Sequence, residues 1–180
     1  MDNLNLSFLK KTFYKTLLKT SKINFILAIS GGIDSMLMLK IATLIKNDTS
    51  FSFRAIHINH NHSSNAKEME NHCIDICHEN NLDLTVKNIR LSKHKNIEDQ
   101  LRNKRYESLF NNMSKDEALV LGHHENDQFE TFLYRLFRGS SPKGLSAIKE
   151  VSVRNNKVIC RPFLEAVSYT HLTLPTKRIV

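Results

Sequence analysis

Tryptophan is absent from this 180-residue chain, and cysteine, proline and glycine are scarce, at three, three and five residues. A small, odd number of thiols supports no disulfide framework and fits a reducing compartment, so a cytoplasmic location is expected. So little glycine and proline excludes collagen-like and low-complexity architectures, and no internal repeat is present. No apolar run approaches the roughly 20 residues that cross a bilayer. Lysines at 10, 11, 15 and 19 interrupt any apolar segment that a secretory signal would need, so no membrane partner is expected. Acidic residues are outnumbered 18 to 26 by lysine and arginine, leaving a net charge of +8. Such an excess favours nucleic acids or nucleotides as partners, although lysine-rich solvated faces produce the same balance.

What remains is ordinary globular material, 41% hydrophobic and 24% charged, with room for one α/β domain. Short apolar runs alternate with helical periodicity, the pattern of parallel βαβ units. Strands are expected at Ile23–Ile29, Phe53–Ile58, Leu82–Ile89, Ala118–Leu121 and Lys157–Cys160. Helices are expected from Ser35 to Ile45, through Met69, Cys73, Ile76 and Cys77, and through Leu101, Leu109, Phe110 and Met113. A further amphipathic helix carries Phe129, Phe132, Leu133, Leu136 and Phe137 and stops at Gly139, with Pro142 beyond. The fold class that follows is α/β: a doubly wound, mainly parallel five-stranded sheet with helices on both faces. An N-terminal amphipathic helix is expected over residues 1–22 and the main domain over 23–165. Residues 166–180 break the pattern. Val167-Ser168-Tyr169-Thr170-His171-Leu172-Thr173-Leu174-Pro175-Thr176 resembles the translation of a sequencing-library adapter, so this stretch is expected to be a non-native, disordered tail, with the gene fragment cut at about Glu165.

The turn Ser30-Gly31-Gly32-Ile33-Asp34-Ser35 follows an apolar strand and opens a helix. Such a turn offers backbone N–H groups at the positive end of a helix dipole, which suits phosphate oxygens. The two glycines permit close approach, and the serines add hydroxyls. A tight turn capped by Ser30 has the same outline. The Gly-Lys-Ser/Thr ending of a Walker loop is missing. Asp34 repels phosphate unless a cation such as Mg²⁺ lies between them.

This turn resembles the signature of the PP-loop ATP pyrophosphatase superfamily, whose members split ATP between its α and β phosphates. The resemblance implies the adenine nucleotide alpha hydrolase-like fold and assigns Ser30, Gly31, Gly32, Ile33, Asp34 and Ser35 to ATP, with Asp34 also on Mg²⁺. A second motif, His123-His124-x-x-Asp127-Gln128-x-Glu130-Thr131, continues through Arg135, Arg138-Gly139-Ser140 and Gly144-Leu145. Helical spacing sets His123, Asp127 and Glu130 on one side, opposite the apolar stripe and near a strand's carboxyl end. Together with Arg54-Ala55-Ile56-His57-Ile58-Asn59-His60, the helix carrying Glu98, Arg102 and Arg105-Tyr106, and Arg161-Pro162, it is similar to the tRNA(Ile)-lysidine synthase family from about Ile23 to Glu165.

That resemblance implies ligation of L-lysine to C2 of the wobble cytidine in tRNA(Ile) with a CAU anticodon, through an adenylated cytidine, changing codon reading from AUG to AUA. Asp34, Asp127, Glu130 and His123 form the implied catalytic set. Asp127 and Glu130 would orient the lysine amine or take its proton. Arg102, Arg105, Arg135 and Arg138 would neutralise phosphate or grip tRNA, or else form solvated helix faces. Where family members commonly have His-Gly-Leu, His60 is followed here by Asn61-His62-Ser63. The family also continues into further tRNA-clamping domains, so this chain is expected to bind ATP and to modify tRNA poorly. Nothing in the sequence fixes an oligomeric state.

Two alternatives compete. A tRNA cytidine 2-thiolation enzyme of the same superfamily needs Cys-x-x-Cys pairs for an iron–sulfur cluster, and Cys73, Cys77 and Cys160 do not supply them. A zinc-binding nucleic-acid module would draw on His57, His60, His62, His72, Cys73, Cys77 and His78, whose spacings match no structural zinc pattern.

Overall fold

The computed structural model describes residues 2–60, 65–89, 97–123 and 148–164. Among these lie helices α1 (Asp2–Leu18), α2 (Ile33–Lys46), α3 (Ala66–Glu79) and α4 (Ile97–Asn111). The strands are β1 (Asn24–Ile29), β2 (Ser52–Asn59), β3 (Leu84–Asn88), β4 (Glu117–Leu121), β5 (Val151–Arg154) and β6 (Lys157–Cys160). They form one sheet in the order β3-β2-β1-β4-β6-β5. Every neighbouring pair is parallel except β5 with β6.

The sheet therefore has six strands where five were expected. The missed strand, β5, is the outer arm of a hairpin turned by Asn155 and Asn156, whose φ values are +51° and +58°. Positive φ at both central residues is the type I′ arrangement that matches strand twist, and asparagine tolerates it better than most residues. The signal was the Asn-Asn pair between Val-Ser-Val-Arg and Lys-Val-Ile-Cys. A four-residue strand ending in a charge is otherwise easily passed over as loop. As the sheet edge it leaves Val153 69% exposed.

Both faces of the central strands are apolar, as a sheet covered on both sides requires. Phe25, Leu27 and Ile29 of β1, Phe53 and Ala55 of β2, and Ala118 and Val120 of β4 share a core with residues of α1, α2 and α3. The alternate residues Ile26, Ala28, Ile56, Ile58, Leu119 and Leu121 pack with Leu109 and Phe110 of α4 and with Met113. Helix α1 belongs to the first core: Leu9, Phe13 and Leu17, spaced by four, are fully buried, and the Phe13 ring lies 5.7 Å from that of Phe163. Its far end holds Glu150, which accepts hydrogen bonds from Thr16 Oγ1 and, at 2.5 Å, from Lys19 Nζ. At the amino ends of the strands, Arg54 on β2 makes a bidentate pair with Glu117 on β4 at 2.6 and 2.8 Å and reaches Asn112 O at 2.6 Å. Arg54 thus has a structural task at the pole opposite the turn Ser30 to Ser35.

Candidate functional site

In a sheet ordered 3-2-1-4, the chain turns one way after β1 and the other way after β4, and the crevice between their carboxyl ends is where such folds bind ligands. Ser30 to Gly32 leave β1 there and lead into α2. Gly122 leaves β4, with Ala28 and Leu121 paired just below. A β-carbon at Gly122 would sit 3.4 Å from Asp34 O and 3.6 Å from Ser35 N, so the β4 exit lies directly against the first turn of α2. On the other side, a β-carbon at Gly31 would lie 3.3 Å from Met69 Cβ, in the first turn of α3.

The turn is braced by its two serines. Ser35 Oγ donates to Gly32 O at 2.8 Å and accepts from Ser30 N at 3.2 Å. Its proton being committed, Ser30 Oγ is the donor in the 3.2 Å contact between the hydroxyls, and Ser30 Oγ in turn accepts from Gly32 N at 3.3 Å. Gly31 has φ +86°, a region open to glycine and costly for other residues. No side chain caps α2 at Gly32; Ser30 Oγ, the cap in the alternative of a tight turn, accepts from Gly32 N within the loop. Ser35 is buried, Asp34 half-buried and Ile33 50% exposed at the mouth. A serine-braced, glycine-lined turn at a helix start can accept phosphate oxygens.

The β2 side of the crevice is occupied by structural contacts. His57, opposite Ile29 in register, is buried, with Nδ1 3.0 Å from Ile29 O and 3.5 Å from Cys73 Sγ. A carbonyl only accepts, so His57 carries its proton on Nδ1. Asn59 Nδ2 donates to Glu70 Oε2 at 2.6 Å, and Lys67 Nζ to Glu70 Oε1 at 2.6 Å. These two hydrogen bonds, Lys67 first, hold the Glu70 carboxyl below the usual carboxylate range.

On the β4 side, His123 follows Gly122 and meets Arg161, the residue directly after β6. Arg161 Nε donates to His123 Nδ1 at 3.3 Å, while its Nη1 donates to Lys149 O at 2.9 Å and Ser152 Oγ at 3.0 Å. Of the expected site residues, the structure thus gathers Ser30 to Ser35 and His123 around one crevice. Arg102 is exposed and Arg105 half-buried on α4. Asp127, Glu130, Arg135 and Arg138, the helix through Phe129 to Phe137 and the tail from 166 to 180 lie outside the described residues. Arg161 belonged to the Arg-Pro resemblance without a role; its contact with His123 spans 38 residues, so no local pattern exposes it.

The cysteines do not resemble ligands. All three are buried free thiols. Burial pushes the Cys73 thiol up to about 12 and the Cys77 thiol up to about 11, and raises Cys160 further still. Metal binding needs thiolates. Among the described residues no three His, Cys, Asp or Glu gather into a metal-holding group; His62 of the alternative zinc set lies outside them. No described helix is long and apolar enough to cross a membrane.

A family model described as a PP-loop domain matches residues 6–174. The tRNA(Ile)-lysidine synthase of Buchnera aphidicola subsp. Schizaphis graminum (strain Sg) is 45% identical over 141 residues, covering 78% of this chain and 32% of that protein. The enzyme of the same name from Buchnera aphidicola subsp. Acyrthosiphon pisum (strain APS) is 44% identical over 143 residues, covering 79% and 32%. The chain thus spans about a third of the length of these curated relatives. Among solved structures, the tRNA thiolase NcsA from Methanococcus maripaludis, with its 4Fe–4S cluster, superposes with a TM-score of 0.67. It is 16% identical, over 91% of this chain and 60% of that one, a likeness of fold alone.

Proposed function

The chain belongs to the PP-loop domain family, and on that premise we propose that it carries the ATP-binding, adenylate-transferring part of a tRNA(Ile)-lysidine synthase. The observation that carries the reading is the serine-braced turn at the β1/β4 crevice, pressed against the exit of the strand that opens the His-His-x-x-Asp-Gln motif. Identity of 44–45% to curated enzymes of that name supports the choice within the family.

In this reading the backbone of the Ser30 to Ile33 turn holds the phosphates of ATP, and Ser35, whose hydroxyl is bonded to Gly32 O, braces that turn. Asp34 is a suitable ligand for Mg²⁺, which takes one or two carboxylates and completes its shell with phosphate and water; the metal would offset phosphate charge there. The C2 carbonyl oxygen of the wobble cytidine attacks the α-phosphorus, and pyrophosphate departs. The lysine amine then bonds to C2, AMP leaves with that oxygen, and the amine gives up a proton. Asp127 and Glu130 are assigned to orient the amine and receive the proton. Arg102, Arg105, Arg135 and Arg138 are assigned to phosphate or tRNA backbone. Residues 166–180 are proposed to take no part.

The test is incubation of the chain with ATP, labelled lysine and a CAU-anticodon tRNA(Ile) transcript. ATP binding with little lysine incorporation is expected, because the chain spans about a third of its relatives. Failure to bind ATP would sink the reading, and full incorporation would sink the proposed dependence on further domains. In a version extended to the relatives' length, Asp127→Ala is expected to abolish lysine transfer. A thiolation enzyme is disfavoured because Cys73, Cys77 and Cys160 supply no Cys-x-x-Cys pair for a cluster.

A further inference from the structure

We propose that Arg161 is a positioning residue that fixes His123 as the Nε2–H tautomer, making this histidine a hydrogen-bond donor in the crevice rather than a base. The last step, donation to a phosphate oxygen of ATP, rests on the function proposed above; the tautomer does not.

The argument starts from what guanidinium can do. Every nitrogen-bound hydrogen of arginine is a donor and none of its nitrogens accepts. The 3.3 Å contact from Arg161 Nε therefore requires a lone pair on His123 Nδ1, and the proton of a neutral ring must then be on Nε2. An imidazolium would set an N–H against the N–H of a cation. Nε2 lies across the ring from Nδ1, so its proton points away from Arg161.

Arg161 is well placed to impose this. It is only 8% exposed, and Nη1 is held by Lys149 O and Ser152 Oγ. Its backbone N–H donates to Glu150 O at 2.8 Å, and Glu150 is itself gripped by Thr16 and Lys19 at the end of α1. The guanidinium is thus fixed by Ser152 on β5 and by Lys149 just before that strand, and the Arg161 backbone is tied through Glu150 to the end of α1. His123 emerges one residue after Gly122, whose backbone lies against Asp34. A donor there suits the developing charge of a phosphoryl group, and it leaves proton removal from the amine to carboxylates.

His57 provides an internal standard, since its contact with Ile29 O demands the opposite tautomer. Long-range proton–nitrogen correlation spectra of the histidine-labelled chain read both states, with the His123 signal assigned by its loss in His123→Gln. The expected spectrum shows His57 protonated at Nδ1 and His123 at Nε2, with Arg161→Met losing the fixed state of His123 while that of His57 persists. Arg161→Lys, which keeps the charge without the planar fork, is expected to restore it only in part. A non-hydrolysable ATP analogue is expected to shift the His123 Nε2–H resonance together with the Gly31 and Gly32 amides. His123 protonated at Nδ1 in the unaltered chain overturns the tautomer assignment without recourse to any variant. An unchanged His123 state in folded Arg161→Met overturns the role of Arg161. Glycine amides that shift while His123 stays still overturn the donation. Glycine amides that do not shift at all, with the tautomer as expected, overturn the ATP-binding function and leave the positioning role standing.

Discussion

Gly31 and Gly32 are adjacent and chemically identical, yet alanine at the two positions is expected to change stability in opposite directions. Gly31 sits at φ +86°, where an L side chain costs about 1–2 kcal/mol, and its new methyl would meet Met69 Cβ at 3.3 Å, forcing α3 to yield by a few tenths of an ångström. Gly32 sits at φ −77° and ψ 161°, an ordinary extended conformation, and its β-carbon site is 3.5 Å from Ser30 Oγ, a normal contact. There alanine retains the folded geometry and restricts the unfolded chain, a stabilisation of about 0.4–1 kcal/mol. The same restriction offsets part of the strain at Gly31, leaving a net loss of about 0.5–1.5 kcal/mol. At about 2–4 °C per kcal/mol for a chain of this size, thermal unfolding should fall by roughly 1–6 °C for Gly31→Ala and rise by roughly 1–4 °C for Gly32→Ala. ATP binding should weaken in both, since each methyl intrudes where phosphate needs backbone. Calorimetry with and without ATP reads all four outcomes. A Gly31→Ala protein as stable as the parent would refute the strain argument, and a Gly32→Ala protein with undiminished ATP affinity would refute the placement of phosphate on this turn.

Truncating Phe13 to alanine should cost about 3–5 kcal/mol, as for a core aromatic, because Phe13 is fully buried against Phe163; chemical denaturation checks it, and a loss below about 1 kcal/mol would mean that α1 is dispensable to the core. Replacing Glu117 by Gln should cost about 2–3 kcal/mol, less than for a fully buried pair because the Arg54 side chain is 28% exposed. The Arg54 hydrogen bond holds the Glu117 carboxyl below its ordinary 4.5, so its stabilisation is complete above that value and is lost as pH falls through the lowered folded-state pKa. The pH dependence of stability below about 4.5 should therefore flatten in Glu117→Gln, and an unchanged acid limb would contradict the pairing. Finally, thiol reagents should label none of the three cysteines in the folded chain and all three in denaturant; rapid native labelling of Cys73 would contradict its burial and raised pKa.

The strands of the sheet centre were legible because each is a short apolar run with a breaker beyond it, and their bounds shift by only a residue or two between sequence and structure. Ile23 and Phe53 were expected to open strands that begin at Asn24 and Ser52. The apolar pattern puts Leu82 and Ile89 inside β3, yet both flank it: buried Leu82 bonds back to Cys77 O of α3 rather than to the sheet, while Ile89, just past the strand, still donates to Asn59 O of β2. Burial and pairing leave the same apolar mark in a sequence, and only coordinates separate them. The strand β5 was missed for the opposite reason: an exposed edge needs no apolar run, and its evidence lay in two asparagines of the turn.

The candidate site divides along the same line. The glycines and serines of the turn were readable because backbone geometry demands those residue types locally. His57, Arg54 and Arg161 were equally conspicuous as members of a pattern, but their tasks depend on partners far along the chain: Ile29 for His57, Glu117 for Arg54, His123 for Arg161. The two histidines are the instructive pair, each with Nδ1 facing a fixed partner. A carbonyl forces the proton onto Nδ1 in His57 and a guanidinium forces it off in His123, so identical side chains on either side of β1 carry opposite tautomers. Letters alone allow both to be bases. The partners make His57 a brace and leave His123 a donor, and in the function proposed above proton removal from the amine is then assigned to carboxylates rather than to either histidine.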